Sequence, residues 1–139
     1  MSDQLTAADR QVQSARSIAA LAQRWVVTTH MLALAAQVLF ALLLLGGFAV
    51  VQLHSSNAGV VLALGALQAI VAVASWPPGG SLWKVAAVIV PLLEAAQIYL
   101  GRAGDLATHV TLGVILWGLA LALLIQVWAP SWGRQLSRA

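Results

Sequence analysis

The feature that most constrains this chain is the scarcity of charge in its long central segment. Between Trp25 and Trp128 the only charged residues are Lys84, Glu94, Arg102 and Asp105. Charged residues make up 8% of the whole chain and hydrophobic residues 61%, whereas a soluble domain carries about 25% charged residues. The sequence therefore predicts an integral membrane protein.

Turn-forming residues divide the central segment into four apolar runs. A bilayer core of roughly 30 Å takes about 20 apolar residues per helix. The stretches HSSNAG and GRAGD are typical of turns, and the two prolines of SWPPGG prevent a helix from continuing through it. We therefore predict an all-α, integral membrane, up-down four-helix bundle with spans at residues 25–52, 58–75, 82–101 and 106–128.

The segments that flank the bundle predict its orientation. Residues 1–24 are interpreted as a short amphipathic arm on the membrane surface, begun by a capping box of Thr6 and Asp9, and residues 129–139 as a basic tail. With four spans, six basic residues and five tryptophans fall at one face, and only Arg102 at the other. The positive-inside rule then places both termini in the cytoplasm, at a bacterial inner membrane.

Two stretches repeat one order of residues. Residues 35–62 and 95–116 each contain Ala-Ala-Gln, a polar break with a histidine, and then Gly-Val-x-Leu. The match aligns Gln37 with Gln97 and a later pair of glycines. It predicts two repeated hairpins related by a pseudo-twofold axis along the membrane normal, the alternative being chance similarity in a sequence rich in Ala, Leu and Val.

Histidines at two depths are candidate functional groups, because ionisable side chains are costly in a bilayer. Counted at 1.5 Å per residue, His54 ends helix one near the outer boundary, at the depth of His109, so the two face each other across the bundle. His30 lies near the inner boundary, too far from His109 to share a metal. We expect it to bond Gln37 through water or to contact a headgroup, the alternative being a second haem or a quinone.

A second polar group is expected near mid-membrane, because amides and carboxyls avoid hydrocarbon by bonding one another. It comprises Gln37, Gln68, Glu94 and Gln97. For Glu94 the open interpretations are a proton relay, a quinone contact and a simple buried hydrogen bond.

Facing histidines in a four-helix bundle are typical of a haem site. Two imidazoles bind the iron from opposite sides of the flat, apolar macrocycle. Gly59 and Gly113, about one turn after the histidines, would let the macrocycle approach the backbone, and Arg102 would pair with a propionate. The sequence thus predicts b-type haem on His54 and His109.

The order of these residues resembles a group of small four-helix bacterial membrane proteins and one half of haem A synthase. The resemblance covers residues 25–128 and depends on two short motifs, Gln37 with His54 and Gly59, and Gln97 with His109 and Gly113. It implies haem binding by the two histidines. It does not imply catalysis, because the acidic residue that the synthase places one helical turn before its helix-two histidine has no match here.

Three functions are open. The first is a haem-bearing protein in electron transfer, the second a cofactor-free accessory subunit of a larger membrane complex, and the third a small dimeric proton-coupled transporter that uses Glu94. The chain lacks the motifs of hydrolases and phosphate-binding enzymes, so it is at most a redox subunit. Its partners are expected to be the lipid bilayer and other membrane subunits or a second copy, and not nucleic acid, since no basic stripe is present.

Overall fold

The computed structural model describes residues 6–75 and 82–128, and these form four α-helices. Their bounds are α1 Ala7–Leu45, α2 Val51–Ser75, α3 Leu82–Ala103 and α4 Leu106–Trp128. Each helix is long and apolar enough to cross a membrane. The predicted all-α four-helix bundle is confirmed, and the chain is a multi-pass membrane protein.

The four helices form a closed ring. Helices α1 and α3 each contact both α2 and α4, so α1 lies diagonally opposite α3, and α2 diagonally opposite α4. Bonds between neighbouring helices show that they are antiparallel: Gln37 on α1 bonds His54 near the start of α2, and His30, earlier on α1, bonds Gln68 further along α2. Diagonal helices can therefore place side chains opposite one another on the bundle axis.

The first turn lies earlier than the sequence predicts. Helix α1 ends at Leu45, and the HSSNAG stretch that we expected to be a turn lies within α2. The reversal takes place at Gly47, whose φ of 84° lies in the left-handed region that favours glycine. The amides of Gly47 and Phe48 bond the carbonyls of Leu44 and Leu43 at 3.0 Å each, which is the Schellman motif of a helix end. The predicted spans 25–52 and 58–75 are corrected accordingly.

The N-terminal arm is not a separate element. Helix α1 runs without a break from Ala7, because no glycine or proline interrupts the sequence before residue 46. Thr6 precedes the helix, and its carbonyl accepts the amide of Arg10 at 3.1 Å. The side chain of Asp9, and with it the capping box, lies outside the described residues, as do residues 1–5, the proline-containing connection and the basic tail.

One end of the bundle, here called the tryptophan end, joins α1 to α4. The Nε atom of Arg24 donates to the carbonyl of Val127 at 3.0 Å, and its guanidinium lies 5.4 Å from the ring centroid of Trp128. The Trp128 indole donates to Thr28 at 3.0 Å, and its ring packs edge-on against Trp25. These contacts connect the two helices that no loop links. The other end, which carries Gly47 and Gly104, is called the turn end.

Apolar packing fills the tryptophan end of the bundle. Its buried residues are small or medium in size: Val27, Ala72, Ala87, Val90, Leu116 and Leu123. Large apolar side chains such as Leu32 and Ile70 point outward, as a surface in contact with lipid requires. Beyond this region the interior contains a second apolar cluster, formed by Met31, Leu34, Val61 and Ala120, and the polar side chains that form the candidate site.

Candidate functional site

The interior polar side chains lie in two layers. The turn-end layer contains His54 and His109 with Gln37, Asn57 and Gln97, and the central layer contains His30, Gln68 and Glu94. The mid-membrane group expected from the sequence is therefore divided: two of its glutamines bond the histidines of the turn-end layer.

The two histidines of the turn-end layer occupy equivalent positions. His54 is the fourth residue of α2 and His109 the fourth residue of α4. The backbone amide of His54 donates to the carbonyl of Val50 at 3.0 Å, and that of His109 donates to the carbonyl of Asp105 at 2.9 Å, so each bond closes the first turn of its helix. Their ring centroids are 6.3 Å apart, with the planes at 65°. The structure thus brings the two rings together across the bundle, with His54 beginning a helix rather than ending one.

The hydrogen bonds of His109 determine its neutral tautomer. Its Nδ1 atom lies 2.9 Å from the backbone carbonyl of Gln97, which can only accept, so Nδ1 carries the proton. The Nε2 atom therefore has a free lone pair, with the Gln97 amide nitrogen 3.5 Å away. A ring nitrogen that bonds a backbone carbonyl while the other nitrogen is unprotonated is the usual arrangement of a metal-binding histidine.

His54 has the same tautomer for a different reason. The amide nitrogen of Asn57 donates to Gln37 Oε1 at 2.7 Å, which turns the Gln37 amide nitrogen towards His54 Nε2, at 3.2 Å. An amide nitrogen can only donate, so His54 Nε2 accepts and Nδ1 carries the proton. This buried Nδ1 has no partner among the described residues. Asn57, which the sequence presented only as a turn former, thus orients the histidine.

An apolar cleft of about 470 Å³ borders both layers. Most of its wall comes from α1 and α4, and its polar lining residues are Gln37, His54, Glu94, Gln97 and His109. Gly113 lines it one turn after His109, as predicted, but Gly59 does not. The equivalent position after His54 is Ala58, which does line the cleft, because four residues, not five, return a helix to the same face.

Two residues expected near a cofactor have different positions. Arg102 is exposed at the end of α3 and is not part of the cleft wall, so its pairing with a propionate stays a prediction. Gly101, which we interpreted as a turn residue, lies within α3, and a Cβ there would come within 2.9 Å of the His109 ring. Its position one turn after Gln97 is the sequence signal that we missed.

The central layer is a buried group of hydrogen-bonded polar side chains. His30 is 0% exposed and Glu94 2% exposed, and His30 Nε2 lies 2.6 Å from Glu94 Oε1. His30 Nδ1 lies 3.0 Å from Gln68 Oε1. From its depth we expected His30 to bond Gln37 through water or to contact a headgroup. This expectation is corrected: the buried ring bonds Gln68 and Glu94 instead. It meets Glu94 because α1 and α3 lie on one diagonal of the bundle.

The geometry of the donors allows a haem at the turn-end layer. The ring centroids of His54 and His109 are 6.3 Å apart with their planes at 65°, and these two imidazoles are the side chains that would hold the iron of a haem at this layer. Both Nε2 atoms carry lone pairs, and the adjoining cleft is apolar. Among the described residues no three His, Cys, Asp or Glu side chains are grouped so that they could hold a metal ion by themselves.

Comparison with known proteins identifies no relative: no protein-family model, curated protein or solved structure matches the chain.

Proposed function

We propose that this protein binds a b-type haem between its helices, with His54 and His109 as axial ligands, and that it serves in electron transfer. One observation carries the proposal: two imidazoles from diagonally opposite helices lie in an edge arrangement with ring centroids 6.3 Å apart, beside an apolar cleft. The proposal extends to a bacterial inner membrane with both termini in the cytoplasm, which the distribution of basic residues supports.

The residues of the turn-end layer have distinct roles in such a site. The carbonyl of Gln97 holds the His109 Nδ1 proton, which fixes the orientation of the ring and increases the basicity of Nε2. The amides of Gln37 and Gln97 lie next to the Nε2 atoms of His54 and His109, and they would release these atoms if the histidines held the iron. Apolar side chains of α1 and α4 exclude water from the cleft. When bound, the haem supplies a one-electron couple whose potential depends on axial ligands and burial.

Visible spectra of the purified protein test the proposal. The protein is expressed with haem supplied and purified in detergent, and its oxidised and reduced spectra are recorded. We expect a low-spin b-type spectrum and roughly a tenfold or greater loss of haem content in His109→Ala and in His54→Ala. Imidazole added to His109→Ala should restore the spectrum, because it replaces the missing ligand in the space that the substitution leaves.

Gln52→Ala is the matched control, because Gln52 is exposed and lies two residues before His54. It should keep the full haem content. A wild-type protein that is folded but colourless would overturn the proposal, and the cofactor-free accessory subunit would then be the better interpretation. A coloured protein that keeps its spectrum in both histidine variants would assign the haem to other ligands.

A further inference from the structure

We propose that the buried pair His30–Glu94, supported by Gln68, is a proton-binding site that takes up a proton when the haem at the turn-end layer is reduced. The inference rests on the proposed function, because the electron has to arrive at a haem between His54 and His109. It assigns to the central layer a function of its own, which is to compensate the charge of that electron.

The contacts of the pair define how many protons it holds. The Gln68 amide oxygen can only accept, so His30 Nδ1 donates the bond between them, which is 3.0 Å long. One further proton lies between His30 Nε2 and Glu94 Oε1, which are 2.6 Å apart. With this proton the pair has no net charge, whichever of the two atoms carries it. A second proton bound at the carboxyl group would make the pair a cation.

One atom of the pair is free to receive that proton. Glu94 Oε2 is buried and has no hydrogen-bond partner among the described residues, and the same is true of Gln68 Nε2. The carboxylate lies against the backbone of Gly65 on α2, so closely that a Cβ at this position would overlap it. A buried acceptor without a partner is costly; a water molecule would satisfy it, and a bound proton would neutralise the carboxylate and make this oxygen a donor.

The pair is close enough to the histidines to respond to their charge. Glu94 lines the same cleft as His54 and His109, and it precedes Gln97, the partner of His109, by three residues, or about 4.5 Å along the helix axis. In a protein interior with an effective dielectric constant of about 20, unit charges roughly 10 Å apart change each other's binding equilibria by about tenfold. An electron at the iron therefore favours the protonated form of the pair.

Few other charged groups face the pair. On α1, Arg24 lies six residues before His30 and bonds the carbonyl of Val127. Helix α2 contributes only His54 and α4 only His109, both in the turn-end layer, and on α3 Lys84 lies ten residues before Glu94. Glu94 is the only acidic residue of the chain inside a candidate span. A proton taken up within the spans therefore has one carboxyl group to bind.

The coupled step takes its electron from an external one-electron donor and its proton from the surrounding water. The donor reduces ferric to ferrous iron, and the aqueous phase supplies a proton that forms an O–H bond at Glu94. No bond forms between the pair and the iron. Oxidation of the iron reverses both changes, so the proton leaves as the electron leaves.

Redox titration of the haem-loaded protein at several pH values tests this coupling. We expect the midpoint potential of the wild type to fall as pH rises, by about 59 mV in total, which is the equivalent of the tenfold coupling for one electron. Glu94→Gln, which keeps the shape of the side chain, should give a potential independent of pH. Tyr99→Phe removes an exposed titratable group from the same helix and should behave as the wild type.

Infrared difference spectra between the oxidised and reduced protein give a second readout, which the wild type provides by itself and Glu94→Gln controls. Reduction should produce a carboxylic-acid C=O band, and this band should be absent in Glu94→Gln. If the wild type binds haem but its potential is independent of pH and no carboxyl band appears, the coupling is wrong while the haem proposal stands. If the protein binds no haem, the proposed function fails and the coupling fails with it.

Discussion

At the scale of single residues, two glycines allow polar side chains to approach the helix backbones closely. Gly65 admits the carboxylate of Glu94, and Gly101 admits the ring of His109. Glycine in a helix ordinarily lowers stability by roughly 0.5–1 kcal/mol relative to alanine. At these two positions the missing Cβ provides space that the polar layers require, so the usual preference for alanine should be reversed.

Substitution of Gly65 tests this reversal. We expect Gly65→Ala to lower the free energy of unfolding by about 1–3 kcal/mol, because the new methyl group overlaps the Glu94 carboxylate in a packed interior. Unfolding titrations in mixed detergent micelles measure the change. Gly118→Ala is the control, since nothing lies within 4 Å of a Cβ there, and it should leave stability unchanged or raise it. Equal stability of the two variants would show that Glu94 moves away without loss.

At the scale of helices, α2 and α4 begin with their histidines in equivalent places. Gly47 and Gly104 have φ values of 84° and 79°, and each glycine ends the preceding helix. The connection is longer in the first hairpin, where α2 begins at Val51, than in the second, where α4 begins at Leu106. The two hairpins therefore present the same Gln–His arrangement although their turns differ in length.

The start of α4 has a cap that should make its stability depend on pH. Hydrogen bonds from the Thr108 side chain and then from the Thr108 amide, which lies 3.1 Å from Asp105 Oδ1, lower the pKa of the exposed Asp105 carboxyl below its usual value. Because the folded-state pKa is the lower one, the contribution is complete above the unfolded-state pKa and is lost as pH falls through the folded-state pKa. Thermal unfolding of wild type and Asp105→Asn in detergent should differ at neutral pH and converge in acid. A constant difference across this range would contradict the expected role of the charge.

The sequence predicted the helices better than it predicted their relative depth. Apolar runs bounded by turn formers gave α4 its observed bounds, but the HSSNAG stretch, which lies inside α2, was wrongly assigned to a turn, because local propensity is a weak indicator that tertiary packing overrides. The histidine pair was predictable because both residues adjoin the turn end.

The His30–Glu94 contact was not predictable by counting from one membrane plane. The count placed His30 close to the inner boundary, and Glu94 near mid-membrane. In the structure His30 bonds Gln68, seven residues before the end of α2, and Glu94, twelve residues after the start of α3. Helices α2 and α3 thus extend beyond the level of Trp25, and only tertiary packing determines such a stagger.

At the scale of the whole molecule, four spans place the two ends of the helical segment at the same face, the tryptophan end. The absence of cysteine from the chain permits a direct test of orientation with single cysteines. In spheroplasts of an expressing bacterium, a membrane-impermeant thiol reagent should label Ala49→Cys, in the exposed connection between α1 and α2 at the turn end, and should label Ser17→Cys only after the membrane is opened. The reverse pattern would place the basic residues outside and contradict the predicted orientation.

The seam between α1 and α4 has a consequence for how any guest molecule reaches the interior. Every other pair of adjacent helices is joined by the chain, whereas α1 and α4 are held by side-chain contacts, those of Arg24 and Trp128 at one end and those of the apolar cluster of Met31, Leu34 and Ala120 further along. The cleft has most of its wall on these two helices. A flat hydrophobic molecule that separates these two helices would pass no loop and break no backbone connection. Its route into the cleft would therefore lead sideways, from the lipid between α1 and α4. Delivery would then depend on partition into the bilayer rather than on solubility in water.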